Sequence, residues 1–180
     1  MGTGKSRAAR ILADGLGWQL ADTDRIMEKE TGMKMAEYWR VAGAEEFQEK
    51  ELEIIRRVRF YHEAVIAVGG NYPMTEQKFN LLQQYGLVVL MYAHSFRLAE
   101  RVKKKIGKRP TMDYNDVEGF VRRMRRKWMK WSGRADLVIN TTSCHPAQSA
   151  LTIARFIDRH HIKFLKRMKK RRNGHGHSGR

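Results

Sequence analysis

Met1-Gly2-Thr3-Gly4-Lys5-Ser6 opens the sequence, and this stretch decides which fold the rest of the chain can adopt. It matches the second half of the phosphate-binding pattern G-x-x-x-x-G-K-[ST], and a helical pattern follows it directly. In such a loop, glycines let backbone N–H groups converge on phosphate oxygens, the lysine reaches the β- and γ-phosphates, and the serine hydroxyl holds Mg²⁺. The first glycine of the pattern would fall two residues before Met1, and the hydrophobic strand that normally feeds the loop is absent too. Gly-Lys-Ser alone is weak evidence, because short strings of this kind occur by chance in basic proteins.

Composition indicates one compact domain. The chain has 180 residues, of which 42% are hydrophobic, enough to bury a substantial core. Its longest apolar runs, such as residues 86–91, are too short to cross a bilayer, and the start lacks the pattern of a secretory signal. A single cysteine, Cys144, rules out an internal disulfide and fits a reducing compartment. We therefore expect a cytoplasmic protein without a membrane segment.

The net charge of +17 favours anionic partners, but it does not choose among nucleotides, phosphorylated metabolites and nucleic acid. Much of the excess lies in residues 101–109 and in the stretch 163–172. Charge runs at helix ends are usually solvated faces, and the chain carries no recognised nucleic-acid motif. Nucleic acid is therefore the less favoured partner.

Hydrophobic periodicity predicts that strands and helices alternate along the chain. Apolar runs predict strands at 18–21, 64–68, 87–92 and 137–140. Helices are predicted at 6–16, from 25 onward, at 36–41, 45–61, 77–85, 95–105, 116–131 and 146–169, with a break near Gly43. This alternation is typical of a doubly wound α/β fold with a parallel sheet. In that fold the Gly2–Ser6 loop, Asp22 with Asp24, and Gly69 with Gly70 would meet at one edge, beyond the carboxyl ends of the strands.

In order along the chain, these motifs resemble those of shikimate kinase, a small P-loop kinase that phosphorylates the 3-hydroxyl of shikimate. The matching positions are Gly2-Thr3-Gly4-Lys5-Ser6, Leu16-Gly17, Asp22-Thr23-Asp24, Glu30-Thr31-Gly32, Gly43 with Phe47 and Glu51, Gly69-Gly70, Arg109-Pro110 and Ala135-Asp136-Leu137-Val138-Ile139. The resemblance covers the chain from Met1 to about Arg159. The aspartate pair, the glycine pair and the Arg-Pro element together are far more specific than any one of them.

The resemblance implies a three-layer P-loop kinase fold, in which helices flank a parallel sheet of strand order 2-3-1-4-5 and a lid covers ATP. Only four strands are visible in the sequence, and the missing one would be the first strand, at the centre of the sheet. We therefore expect the chain to be a fragment or to carry a misplaced start, because losing a central strand removes much of the core. The domain is expected to span residues 1–162, followed by a basic, disordered tail at 163–180. The family is often monomeric, so a monomer is expected.

The resemblance also implies ATP and Mg²⁺ as cofactors and a set of site residues. ATP would be bound by Gly2, Thr3, Gly4, Lys5, Ser6, Arg7, Arg101 and Arg109. Lys5 would contact the transferring phosphate, Arg109 would close over the phosphates, and Arg101 would pack on adenine or occupy a surface position. Ser6 would coordinate Mg²⁺ with Asp22 nearby. Asp24 would orient the acceptor hydroxyl or act as its base; it could also be only a helix N-cap, but the functional role is favoured because the two can coexist.

The chain departs from the family mainly where shikimate's carboxylate would bind. The expected acceptor-binding positions are Asp24, Gln48, Gly69, Gly70 and Lys127, and two of these, Gln48 and Lys127, stand where the family has arginines. Neither glutamine nor lysine reproduces the paired, planar contacts of a guanidinium.

Further departures lie nearby: Trp131 replaces a tyrosine, Asn71 replaces the third glycine, and Arg7 replaces a threonine. Three interpretations therefore remain open. The chain is a shikimate kinase with an altered carboxylate pocket, a related kinase for another small hydroxylated acceptor, or a non-catalytic basic module that binds nucleotides or nucleic acid.

Overall fold

The structure is a computed structural model that describes residues 2–70, 74–103 and 115–174, with side chains described as far as His160. Seven helices and four strands alternate along the described chain. They are α1 (Lys5–Leu16), β1 (Gln19–Asp22), α2 (Thr23–Thr31), α3 (Met35–Val58), β2 (Ala64–Ala67), α4 (Glu76–Tyr85), β3 (Val89–Tyr92), α5 (Ser95–Lys103), α6 (Val117–Met129), β4 (Leu137–Asn140) and α7 (Pro146–Gly174). The predicted alternation and parallel α/β class are confirmed.

The four strands form two parallel pairs. β1 pairs with β2, with Gln19 opposite Ala64, and β3 pairs with β4, with Val89 opposite Leu137. Within the described residues no strand joins β2 to β3. The two pairs correspond to the outer pairs of the expected order 2-3-1-4-5, and no described strand occupies the central place.

A shared apolar cluster holds the two strand pairs in one molecule. It contains Leu12 of α1 and Ile153 of α7, and Val65, Val89 and Ile139 from three of the strands pack with them. Because α1 and α7 contribute to the same cluster as strands from both pairs, burial of apolar surface joins the two halves without a continuous ladder of backbone hydrogen bonds.

A second apolar cluster surrounds Phe47, whose side chain is fully buried in the second half of α3. The ring packs edge-on against Trp39, with centroids 5.4 Å apart. Gly43 lies between these residues and has φ 78° and ψ −176°, which breaks the helix and turns its first part back onto the second. The predicted break near Gly43 is confirmed.

Most element ends lie within a few residues of the predictions, and two differences bear on the predicted site and domain boundary. The cap of α2 is Asp22, whose carboxylate accepts from the N–H of Asp24, so Asp24 lies in the first turn of the helix and is not its cap. The backbone of α7 is helical as far as Gly174, past the predicted end at 169 and across the expected domain boundary at 162. That boundary, and the disordered tail beyond it, stay predictions.

None of the helices in the described part of the chain is long and apolar enough to cross a membrane.

Candidate active site

The phosphate-binding stretch forms a glycine-shaped turn at the start of α1. Gly2 and Gly4 have φ values of 68° and 84°, a left-handed conformation that glycine adopts without strain. No side chain caps the helix, and the N–H groups of Arg7 and Ala8 donate to the carbonyl of Gly4. The N–H groups of Lys5 and Ser6, which come before them, are therefore the ones that can bind a ligand, and the helix dipole favours a negatively charged one. Lys5 is half-buried beside this turn and Ser6 is exposed. The sequence therefore folds here into an anion-binding loop.

Acidic residues enter the same region from the carboxyl end of β1. Thr23, which is almost fully buried, accepts a hydrogen bond from the N–H of Gly69 at 2.8 Å, and its own hydroxyl lies 3.5 Å from the carbonyl of Ala67. This side chain therefore joins the end of β1 to the end of β2. It fixes the two flanking residues, Asp22 and Asp24, against the glycine pair that follows β2.

Asp24 and Lys5 lie within electrostatic reach of each other. Burial raises the pKa of Asp24, while the positive charge of Lys5 opposes the rise and the negative charge of Asp22 adds to it. The phosphate-binding lysine and the aspartate pair, which are separate motifs in the sequence, therefore form one cluster. This juxtaposition is the one that the sequence motifs predicted.

Gly69 allows the close approach of the acidic residues. A Cβ placed on Gly69 would lie 2.3 Å from Oδ1 of Asp24 and 3.0 Å from Oε1 of Glu51. The first distance is too short for a carbon atom and the second is tight, so only glycine fits without moving the carboxylate of Asp24. Gly70 follows it and is half-buried.

Glu51 and Lys78 form a buried ion pair that the sequence analysis did not identify as part of the site. Their side chains are 7% and 4% exposed, and the Lys78 ammonium donates to Oε2 of Glu51. Burial raises the pKa of Glu51, and Lys78 lowers it in opposition. The charges of Asp24 and Lys5 also act on this carboxyl. Glu51 occupies one of the matching motif positions, but no local signal in the sequence pairs it with a residue of α4.

Arg101 lies on the other side of the phosphate-binding turn. Its guanidinium donates to the carbonyl oxygens of Gly2, Thr141 and Thr142 at 3.1–3.2 Å. It also lines an open cleft of about 400 Å³, together with Ser143. The residue therefore ties the turn to the loop after β4, at a cleft of the size that small ligands use.

The remaining predicted site residues have no described contact with the cluster of Lys5, Asp22 and Asp24. Gln48 is half-buried on α3, one turn before Glu51 and on the same face. Lys127 is exposed on α6 and forms no hydrogen bond or ion pair with any described side chain. Arg7 is exposed and Thr3 is buried. Arg109 lies outside the described residues, as does Asn71.

Comparison with known proteins agrees with this geometry. The sequence model of the family described as shikimate kinase matches residues 1–158. The chain belongs to the shikimate kinase family. Among curated members, the shikimate kinase of Thermodesulfovibrio yellowstonii is 28% identical over 159 residues, which are 88% of this chain and 91% of that protein. The shikimate kinase of Clostridium botulinum (strain 657 / Type Ba4) is 31% identical over 154 residues, covering 85% and 89%.

Solved shikimate kinases share the fold. The enzyme of Acinetobacter baumannii, solved in complex with shikimate, superposes with a TM-score of 0.77 at 24% identity, over 87% of this chain and 88% of that one. The enzyme of Bacteroides thetaiotaomicron gives a TM-score of 0.77 at 19% identity, over 88% and 94%. The expected P-loop α/β kinase fold is thereby confirmed. As a shikimate kinase family member, the chain is a phosphotransferase that uses ATP with Mg²⁺.

The residues present fit these cofactors. The uncapped amino end of α1 and Lys5 provide donors for phosphate oxygens. The Ser6 hydroxyl and the Asp22 carboxylate provide hard oxygen ligands of the kind that Mg²⁺ prefers. In the described part of the chain no group of three or more acidic, histidine or cysteine side chains could hold a metal ion alone.

Proposed function

We propose that this chain transfers the γ-phosphoryl group of ATP to the 3-hydroxyl of shikimate, with Lys5 and Asp24 at the reacting atoms. The observation that carries the proposal is the position of the Asp24 carboxylate against Gly69, at the carboxyl ends of β1 and β2, where the positive charge of Lys5 acts on it. Phosphoryl transfer depends mainly on positioning and charge stabilisation. The site supplies both through the positive charge of Lys5 and the carboxylate of Asp24.

Each residue has a separate task in this proposal. Lys5 and the first N–H groups of α1 hold the transferring phosphate and stabilise the charge that develops on it. Bound Mg²⁺ supplies further neutralisation of the β- and γ-phosphate oxygens. Asp24 accepts the hydrogen bond of the acceptor hydroxyl, and its burial brings its proton affinity closer to that of a useful base. Thr23 and Gly69 hold Asp24 in place.

The decisive experiment measures ADP release and product formation with ATP, Mg²⁺ and shikimate, and identifies the phosphorylated hydroxyl by NMR. We expect shikimate 3-phosphate from the wild-type chain. The Lys5→Met variant should lose at least about 100-fold in kcat, because it lacks a charged donor to the transferring group. Arg10→Met, which alters an exposed cation on the same helix, is the matched control and should retain kcat. Absence of product from the wild-type chain would refute the proposal, as would an active Lys5→Met variant.

The pocket for the acceptor's carboxylate is proposed to be altered. Lys127 is exposed and has no described contact with the Asp24 cluster, and Gln48 carries no charge although it faces the same side of α3 as Glu51. A charged bidentate partner typically contributes a few kcal/mol, so its absence raises the KM for shikimate.

Gln48→Arg tests the altered pocket. We expect it to lower the KM for shikimate by about tenfold or more, with no change in the KM for ATP. The substitution could instead leave the KM for shikimate unchanged while another hydroxy acid is phosphorylated faster. The chain would then be a related kinase for that hydroxy acid, and not a shikimate kinase with an altered pocket.

A further inference from the structure

We infer that a row of three cations on α6, Arg122, Arg126 and Lys130, binds the phosphate backbone of double-stranded DNA without regard to base sequence. The inference goes beyond the proposed function and does not depend on it, because these side chains have no part in the proposed reaction. The juxtaposition that carries it is this cation row on the exposed side of a helix that lies in the basic half of the chain.

The positive charge of the chain is concentrated in its second half. Residues 1–88, which end just before β3, contain 12 Lys and Arg against 13 Asp and Glu. Residues 89–180 contain 24 Lys and Arg against 6 Asp and Glu. The charge runs at 101–109 and 163–172 are therefore parts of a wider asymmetry, and an asymmetry of this kind is typical of chains that bind nucleic acid or membranes.

The helix α6 turns its apolar side to the core and its cations outward. Three of its apolar residues are buried, namely Val117, Val121 and Met124. Arg122, Arg126 and Lys130 are exposed, and none of them forms a hydrogen bond or an ion pair with a described side chain. Successive members of the cation row are four residues apart, so they are spaced about 6 Å along the helix axis and span about 12 Å. The row is therefore a straight and accessible line of positive charge.

Cations on the surface of the other half of the molecule have acidic partners. On α3, Lys50 and Arg57 both pair with Glu30 of α2, and Lys50 also pairs with Glu53. A helix face that is merely solvated often mixes charges of both signs in this way. The helix α6 contains no acidic residue after Glu118, which precedes the cation row. The row therefore keeps its full positive charge for an external anion.

A DNA duplex fits the cation row better than other anionic partners do. The duplex carries one negative charge per about 1.7 Å of its axis, so about seven phosphates lie along 12 Å. Phosphate contacts need no apolar surface, whereas membrane-binding helices and the centres of protein interfaces do, and the apolar side of α6 is buried. Single strands bind largely by stacking on aromatic rings, but the two aromatic residues of α6, Phe120 and Trp128, are half-buried. Contacts to the backbone alone carry no sequence information.

The test is fluorescence anisotropy of a labelled duplex of about 20 base pairs, titrated with the full chain at several salt concentrations. Each neutralised phosphate contributes about 0.9 to the slope of log Kd against log salt. A variant with Arg122→Gln, Arg126→Gln and Lys130→Gln should therefore lower this slope by about 2.7 and raise the Kd at about 100 mM salt by at least tenfold. Its Tm should stay near that of the wild type, because the three side chains are exposed and have no described partner.

A second triple variant is the matched control. Arg10→Gln, Arg25→Gln and Arg56→Gln remove the same charge from exposed positions on α1, α2 and α3. This variant should keep the wild-type slope, with a Kd changed by less than about threefold. Two duplexes of unrelated sequence should bind the wild type with Kd values within about twofold of each other.

Several outcomes would overturn the inference. A wild type that does not bind the duplex at about 50 mM salt refutes it, and so does an α6 variant that binds as the wild type does. Equal weakening in the two triple variants would show attraction by net charge without a defined surface. Sedimentation with vesicles of phosphatidylcholine and phosphatidylserine, without binding of the duplex, would make the partner a membrane. The α6 variant should phosphorylate shikimate at the wild-type rate, and a lower kcat/KM would place the cation row in the kinase site instead.

Discussion

At the scale of single residues, Asp24 carries opposing demands from stability and function. Its burial raises the pKa, so the native chain holds the proton more tightly than the unfolded chain does. The contribution of this group to stability is greatest below its ordinary value of 3.8 and is lost as the pH rises through the native pKa. Above its native pKa the carboxylate is therefore retained for its role in the site and at some cost in stability.

Asp24→Asn tests both demands together. We expect kcat to fall by at least about 100-fold, because the asparagine side chain cannot act as a base and offers an amide oxygen in place of a carboxylate as hydrogen-bond acceptor. We also expect a higher Tm than the wild type at pH 7, with the difference vanishing below about pH 3.8. In the wild type, the acid limb of kcat/KM should titrate above 3.8.

Asp116→Asn is the control, because the pKa of Asp116 is shifted in the opposite direction to that of Asp24. The N–H of Gly119 and the guanidinium of Arg123 lower the pKa of Asp116, so its neutralisation should not raise the Tm at pH 7. A lower Tm for Asp24→Asn at neutral pH would contradict the account of Asp24.

At the scale of elements, the ends of β1 and β2 form the site because one threonine joins them. Thr23 starts α2 and binds the N–H of Gly69 after β2, across 46 positions of sequence. Parallel pairing of the two strands puts their carboxyl ends at the same edge. Any group that pushes Gly69 away from Asp24 should therefore disturb the acceptor side without touching the phosphate-binding turn.

Gly69→Ala tests this arrangement. The new Cβ would lie 2.3 Å from Oδ1 of Asp24, so that carboxylate must move. A displacement of about 1 Å at the reacting group should lower kcat/KM for shikimate by about 100-fold, with the KM for ATP changed far less. The readout is steady-state kinetics with each substrate varied.

Gly15→Ala is the matched control, because a Cβ there meets no atom within 4 Å and the residue lies inside α1. It should keep full activity and gain about 0.5–1 kcal/mol of stability. Equal activity of the two alanine variants would argue against the close contact at Gly69.

At the scale of the whole molecule, the two strand pairs are held together by helices and by a few long-range polar contacts. Arg101 makes the longest of those described above, since its bond to the carbonyl of Gly2 spans 99 positions of sequence. It also binds the loop after β4. The phosphate-binding turn is thereby anchored to the half of the molecule that contains β3 and β4.

Arg101→Gln should weaken this anchor. We expect a fall in the free energy of unfolding of about 1–3 kcal/mol, because partly buried carbonyls lose a charged donor, and a rise in the KM for ATP. Thermal unfolding and ATP titration provide the measurements. Arg57→Gln, which alters an exposed ion pair with Glu30 on α2, should change neither by more than a small amount. If Arg101→Gln behaves like Arg57→Gln, the turn is held by the backbone alone.

The sequence by itself determined the local structure of much of this protein, because that structure depends on the chemistry of neighbouring residues. The glycine-rich start, the apolar runs at 64–68 and 137–140, and the break at Gly43 depend on conformations available to short stretches of chain, so their structure was predicted correctly. The grouping of Lys5 with Asp22 and Asp24 was predictable too, because parallel strands present their carboxyl ends at one edge.

Only the tertiary structure decided which side chains meet across the site. Glu51 pairs with Lys78, which lies 27 positions away in the sequence. Arg101 binds backbone carbonyls that lie 40 to 99 positions away. The tertiary structure also placed Lys127 on an exposed face and made Asp22, rather than Asp24, the cap of α2. Such contacts depend on how the packed helices are oriented about their axes, and that orientation is set by burial of the whole apolar surface and by no local pattern.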